Sequence, residues 1–185
     1  MRIDNIKLKI GEGEEKLKKI AEEKLRGRCA YLRILKKSLD ARNKSDIRWV
    51  YSVEADRTVP EEEERVPVQT KHPGERIVVV GSGPAGLFCA VRLVEHGFAP
   101  TVLERGGDVD ARAEQNERFF RCRTLDENTN VQFGEGGAGT FSDGKLNTQT
   151  HTPLNREVLE TFVRFGAPEE IRYLTKPHIG SDKLK

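Results

Sequence analysis

The feature that most constrains the fold is a run of aliphatic residues followed at once by three spaced glycines. Residues 77–80 read Ile-Val-Val-Val, and Gly81, Gly83 and Gly86 follow in a GxGxxG spacing. An uninterrupted aliphatic run is typical of a parallel strand that is buried on both faces. The glycines predict a tight turn from this strand into a helix.

The residues after the glycines complete a β-α-β unit. Residues 87–96 predict one helix, which Gly97 ends as a C-terminal glycine cap. Residues 101–104 predict a second strand, and its last residue, Glu104, stands 18 positions after Gly86. A strand, a glycine turn, a helix, a second strand and a final acid form the fingerprint of a dinucleotide-binding site.

Each residue type in the fingerprint has a chemical reason. Gly81 permits the tight turn, Gly83 lets the backbone approach a diphosphate, and Gly86 allows the helix to lie close to the strand. Pro84 suits the first helical turn, where an amide hydrogen would lack a partner. The diphosphate is expected at the positive helix N-terminus. Glu104 can accept hydrogen bonds from the adenosine ribose and would repel a 2′-phosphate, which favours FAD or NAD over NADP.

A second glycine-rich loop, residues 134–145, holds five glycines within eleven residues. One interpretation is a flexible loop. The other is a loop whose exposed amides, with Thr140, Ser142 and Lys145, contact a flavin ring or its diphosphate. The loop also contains GxxxxGK, but Leu146 stands where a nucleoside triphosphatase needs a hydroxyl for Mg²⁺, which argues against that class.

The N-terminal 55 residues predict a small α+β domain. Residues 6–10 alternate apolar and basic side chains as a half-buried strand does, and residues 14–25 have helical spacing of apolar positions. Residues 31–39 and 47–54 flank a turn-rich stretch and predict a hairpin. The result is a β-α-β-β unit whose helix covers one face of the sheet.

The middle and end of the chain have different compositions. Residues 56–75 contain three prolines and four consecutive glutamates, which predicts an extended acidic linker. Residues 76–185 then form the dinucleotide-binding domain, with a further helix predicted at 154–165 and a short strand at 171–174.

Charge and cysteine content limit the other classes of function. Residues 1–50 carry 15 Lys and Arg against 8 Asp and Glu, but Tyr31, Trp49 and Tyr51 do not form an RNA-binding aromatic signature. A solvated lysine face is therefore favoured, and a noncatalytic interaction module remains an alternative. The chain has no apolar run long enough for a membrane span and no secretory signal, which predicts the cytoplasm. The three cysteines lack a CxxC spacing, so reduced thiols and no metal site are expected.

Four segments carry a resemblance to a family. GSGPAGLFCA, VLERGGDVDAR, NVQFGEGGAGTFSDGKLNT and KPHIGSDKL closely resemble the FAD-dependent dehydrogenases, or NAD(P)/FAD-dependent oxidoreductases, of bacteria. The N-terminal IDNIKLKIGEGEEKL and the hairpin ILKKSLDARNKSDIRWVYSVE resemble the leading domain of the same family. Ser181 stands where the family is expected to carry Thr. Members continue far beyond the last segment, so this chain is expected to be an N-terminal fragment that neither holds FAD stably nor turns over substrate by itself.

The resemblance implies FAD as cofactor and a hydride passed between NAD(P)H and an unknown small-molecule substrate. An NAD-only dinucleotide-binding protein is the alternative. Arg105 is expected beside the adenosine, and Arg112 either neutralises the diphosphate or is a solvated helix-surface residue. His178 is expected to be structural, and no catalytic residue is assigned, because flavin itself carries the electron-transfer chemistry.

The predicted architecture is α/β: a small N-terminal β-α-β-β domain (residues 1–55), an acidic linker (56–75) and an incomplete Rossmann-type FAD-binding domain (76–185). No nucleic acid and no membrane are expected as partners, and the sequence leaves the oligomeric state open. The predicted cofactor-binding residues are Gly81, Ser82, Gly83, Pro84, Ala85, Gly86, Glu104, Arg105, Arg112, Gly136, Gly137, Thr140, Ser142 and Lys145.

Overall fold

A computed structural model describes the whole chain except residues 62–71, 73 and 151. The predicted linker at 56–75 therefore lies mostly outside the described residues. The elements are β1 (Arg2–Lys9), α1 (Glu15–Leu25), β2 (Tyr31–Asp40), β3 (Arg48–Asp56), β4 (Val78–Val80), α2 (Pro84–Glu95), β5 (Thr101–Leu103), α3 (Val109–Cys122) and α4 (Leu154–Arg164), with 3₁₀ helices at Ala138–Phe141 and Glu169–Arg172.

The chain divides into two compact units. Unit 1 contains Met1–Glu63 and Lys145–Ile179, and unit 2 contains Glu64–Gly144 and Gly180–Lys185. This grouping differs from the single C-terminal domain expected at 76–185, because residues 145–179 belong to the same unit as the N-terminal sheet. Each unit is described by itself.

Unit 1 is built on a three-stranded antiparallel sheet in the order β1-β3-β2. The central strand, β3, pairs on both sides, so its residues Tyr51, Val53 and Ala55 are almost completely buried. Helix α1 contributes Leu17 and Ala21 to the same apolar cluster. The predicted β-α-β-β unit, with its helix covering one sheet face, is confirmed.

The outer edge of β2 pairs with a segment close to the C-terminus. The Lys37 N–H donates to the Tyr173 carbonyl (2.8 Å), and the Thr175 N–H donates to the Lys37 carbonyl (3.0 Å). A strand was expected at 171–174, but a 3₁₀ helix occupies Glu169–Arg172 and only Leu174 forms a bridge with Lys37. The strand prediction was wrong, because Pro168 starts a helical turn where the apolar residues suggested extension.

Unit 2 contains the β-α-β fingerprint. Strands β4 and β5 pair in parallel, with Val79 opposite Val102, and α2 connects them. Gly97 has a φ of +87°, and the Phe98 N–H donates to the Leu93 carbonyl (3.0 Å), so the predicted glycine cap ends the helix. The mixed α/β fold class with a Rossmann-like unit is thereby confirmed.

The aliphatic run differs from its prediction. Val79 is buried, but Val78 is 54% and Val80 84% exposed, so this strand is covered on one face and not on both. The physical reason is that the parallel sheet has two strands and α2 covers only the face that carries Val79. None of the helices in the described part of the chain combines the length and the apolar character needed to cross a bilayer.

Candidate functional site

Three segments of unit 2 converge at the N-terminus of α2. They are the first glycine loop (residues 81–86), the turn after β5 (residues 104–107) and the part of the second glycine-rich loop that lies in unit 2 (residues 134–144). Main-chain hydrogen bonds join them: the Gly81 N–H donates to the Leu103 carbonyl (2.7 Å), and the Gly136 N–H donates to the Ser82 carbonyl (2.8 Å).

The glycines of the first loop are required by geometry. Gly81 has a φ of +95°, in the region that favours glycine, and allows the chain to turn sharply into α2. A Cβ at Gly86 would lie 1.9 Å from the Gly81 carbonyl oxygen, so only glycine fits where the helix meets the strand. A Cβ at Gly83 would meet nothing within 4 Å, which leaves open space beside the loop.

Pro84 and Ala85 form the exposed first turn of α2. Pro84 occupies the start of the helix, as predicted, and the extended Gly83 precedes it. No side chain caps this helix end, so its first amides point into the space beside the loop. An uncapped helix N-terminus with open space in front of it can accept an anionic group.

Glu104 connects the end of β5 to the first glycine loop. Its carboxylate accepts hydrogen bonds from the Gly106 N–H (2.9 Å), the Ser82 N–H (2.7 Å) and the Ser82 hydroxyl (3.0 Å). These main-chain donors, Gly106 first and Ser82 second, lower the pKa of Glu104 to about 2. The group is therefore an anion at neutral pH, at the position where the fingerprint requires one.

The second glycine-rich loop lies against the first. A Cβ at Gly137, whose φ is +63°, would approach the Pro84 Cδ to 3.2 Å. Thr140 is buried, and its hydroxyl donates to the Glu135 carbonyl at 3.5 Å, which directs it into the loop. Ser142 is exposed, and its hydroxyl accepts a hydrogen bond from the Gly144 N–H (3.1 Å). This loop therefore lies beside the α2 N-terminus, where Gly137 is close to Pro84.

Arg112 holds this loop in place. Its side chain is completely buried, and its guanidinium donates to the carbonyls of Asn130, Val131, Glu135 and Gly137. Burial lowers the pKa of the guanidinium, which also lies 4.8 Å from the centre of the Phe141 ring. The solvated-surface interpretation of Arg112 is therefore wrong, and its described hydrogen bonds all end on main-chain oxygens.

Two predicted residues, Arg105 and Lys145, remain to be located. Arg105 is exposed and stacks over the Phe133 ring at 5.0 Å, next to the turn after β5. Lys145 belongs to unit 1, where it forms an antiparallel bridge with His178. The sequence analysis did not select Asn116, which is buried on α3 one turn after Arg112. Apolar periodicity gives no signal for a buried polar residue of this kind.

Comparisons with known proteins separate the N-terminal sheet from the β-α-β fingerprint. Residues 79–141 match the family model described as an NAD(P)-binding Rossmann-like domain, a range that contains both glycine loops and Glu104. Residues 1–56 match a model described as a domain of unknown function (DUF8436). The whole chain is 40% identical to an uncharacterized protein of Clostridium beijerinckii and spans 38% of that protein's length. The site geometry and the Rossmann-like match together support a dinucleotide cofactor of the kind that oxidoreductases use.

Proposed function

We propose that this chain binds the ADP moiety of FAD as the N-terminal part of an FAD-dependent oxidoreductase. The observation that carries the proposal is the hydrogen bond that joins the two glycine loops beside the N-terminus of α2, from the Gly136 N–H to the Ser82 carbonyl (2.8 Å). The first amides of α2 have no side-chain cap and lie next to the open space at Gly83, and a diphosphate is the ligand group that such amides accept.

The charge of Glu104 supports an adenosine ribose at the other end of the site. A carboxylate has about four lone-pair positions, so it can exchange its contact with the Ser82 hydroxyl for ribose hydroxyls. Because its pKa is about 2, it stays charged at neutral pH and repels a 2′-phosphate. FAD and NAD lack that phosphate, whereas NADP carries it.

The choice of FAD over NAD rests on the second glycine-rich loop and on the family resemblance. The β-α-β fingerprint alone serves both cofactors, but the loop held by Arg112 adds a second wall of backbone to the diphosphate position. When bound, FAD would accept a hydride from NAD(P)H and pass it to a small-molecule substrate. The residues described here would hold the cofactor and orient it. A cytoplasmic location is part of this proposal.

The test is a calorimetric titration of the purified chain with FAD, ADP, FMN, NAD⁺ and NADP⁺. We expect FAD and ADP to bind reversibly, with FAD lost on desalting, and FMN not to bind because it lacks the ADP moiety. NADP⁺, which differs from NAD⁺ only by its 2′-phosphate, should bind about tenfold more weakly than NAD⁺. The Glu104→Ala variant is the matched control, because it should remove the discrimination against the 2′-phosphate. Tighter binding of NAD⁺ than of FAD would favour the NAD-only alternative, and binding of neither FAD nor ADP would refute the proposal.

A further inference from the structure

We infer that Asn116 binds the hydroxyl-bearing sugar chain of the cofactor, on the side of the diphosphate away from Glu104. The inference rests on the proposed function and extends it to a residue of α3 that the fingerprint does not contain. The chemical class of the contacted group is a polyol: the ribityl chain of FAD, or the nicotinamide ribose if the dinucleotide is NAD.

The first observation is an unsatisfied amide. Asn116 is 6% exposed, and neither its Nδ2 nor its Oδ1 has a hydrogen-bond partner. Burying an amide without partners costs free energy, so each such group in a folded protein needs an explanation. A ligand that supplies both a donor and an acceptor is one explanation.

The second observation is the position of Asn116 along α3. The helix begins at Val109, shortly after Glu104, and its buried face carries Arg112 and then Asn116 one turn later. The Arg112 guanidinium reaches the Gly137 carbonyl (2.9 Å), and Gly137 lies against the N-terminus of α2. Asn116 is about 6 Å further along the helix axis on nearly the same face. We therefore place the sugar chain on this face of α3, one turn beyond the arginine that supports the second glycine-rich loop.

The third step is the match of chemistry. A diphosphate offers only acceptors, which would leave the Asn116 Oδ1 without a donor. A sugar hydroxyl both donates and accepts, so one or two hydroxyls satisfy both atoms of the amide. The charge of the neighbouring Arg112 guanidinium is balanced in part by the Glu104 and Glu135 carboxylates, so a neutral hydroxyl group, which adds no charge, suits this face.

The Asn116→Leu variant tests the inference, because leucine has the same branching at Cγ and no polar atoms. Without ligand, the urea midpoint should stay the same or rise, since an unsatisfied amide has been removed. In titrations, the affinity for FAD should fall at least about tenfold, whereas the affinity for ADP should equal that of the unchanged chain. Gln115→Leu removes an amide from the neighbouring position of α3 and should change neither affinity.

The outcomes separate the inference from the proposed function. Failure of the unchanged chain to bind FAD and ADP would refute the proposed function. Normal affinity of Asn116→Leu for both FAD and NAD⁺ would overturn only the inference, as would an equal loss of ADP and FAD affinity, or a lowered urea midpoint where the variant still folds. A selective loss of NAD⁺ affinity would support the contact and assign the sugar to the nicotinamide ribose. If Asn116→Leu does not fold, Asn116→Ala should give the same split between FAD and ADP.

Discussion

Gly83 and Gly86 are both glycines of the fingerprint, but the structure gives them different physical reasons. At Gly86 a side chain would collide with the Gly81 carbonyl, so the glycine belongs to the contact between helix and strand. At Gly83 the backbone is in an ordinary extended conformation, and a Cβ would enter open space. The fold therefore tolerates a side chain at Gly83, but that side chain would occupy the space proposed for the diphosphate.

The first prediction contrasts these two positions. Gly83→Ala should keep the urea midpoint of the ligand-free chain and lose at least about tenfold in ADP affinity. Gly86→Ala should lower stability by about 1–3 kcal/mol, because the new Cβ must displace backbone. Gly74→Ala is the control, since its Cβ would also meet nothing within 4 Å and the residue lies outside the three converging segments. Unchanged ADP binding in Gly83→Ala would mean that the diphosphate lies elsewhere.

Glu104 is also one of the carboxylates through which stability depends on pH. Its pKa in the folded chain is about 2, below the ordinary glutamate value of 4.5, because the N–H groups of Gly106 and Ser82 stabilise the carboxylate. A depressed folded-state pKa stabilises the fold fully above the unfolded-state value, and this contribution is lost as the pH falls towards the folded-state value. The loss should therefore take place between about pH 4.5 and about pH 2.

The corresponding experiment compares the unchanged chain with Glu104→Gln. The urea midpoint of the unchanged chain should be higher at about pH 6, and the gap should shrink as the pH falls towards about 2.5. The variant retains the size of the side chain but lacks its charge and one acceptor oxygen. The lost acceptor lowers stability at every pH, so only the lost charge makes the gap depend on pH. A gap that stays constant over this range would show that the charge of Glu104 adds nothing to stability.

At the scale of elements, sequence patterns located most helices and strands within a few residues. The helix expected at 14–25 is Glu15–Leu25, and the helix expected at 154–165 is Leu154–Arg164. Both have apolar residues at helical spacing, which is a local property of the chain. Local periodicity contains no information about which distant segments pair. For that reason, the contact between Lys37 and Thr175 was not predictable.

The same limit applies to the candidate site. The first glycine loop and Glu104 were identified because their spacing is local and each residue has a known mechanical reason. Arg112 was identified, but its four carbonyl partners lie in the loop at 130–137. The residues next to Arg112 in the sequence do not predict those partners. Asn116 was missed because amphipathic patterns mark buried apolar residues, and this buried face of α3 is polar.

For the whole molecule, the two units differ in the kind of residue that each one buries. Among the described residues, eleven of the twelve buried hydrophobic side chains belong to unit 1, and only Val79 belongs to unit 2. Unit 2 instead contains the following buried polar residues: Ser82, Arg112, Asn116 and Thr140. Burial of apolar surface is the main source of folding free energy. Unit 2 should therefore have the lower local stability, and a bound ligand should contribute more to it.

Amide hydrogen exchange tests this difference in one measurement. Without ligand, the amides of β1 and β3 should exchange more slowly than those of α2 and the second glycine-rich loop, because they surround the apolar cluster of unit 1. At a concentration of about 100 times its Kd, ADP should stabilise the folded form of its binding unit by about 2.7 kcal/mol.

Exchange at Ser82 and Gly136 should accordingly slow by up to about a hundredfold with ADP, because opening their hydrogen-bonded loops would release the ligand. Amides at the centre of β3, such as that of Val53, should exchange at the same rate with and without ADP. FMN at the same concentration serves as the control and should protect neither unit. Equal slowing in both units, or slowing confined to β3, would contradict the assignment of the site to unit 2.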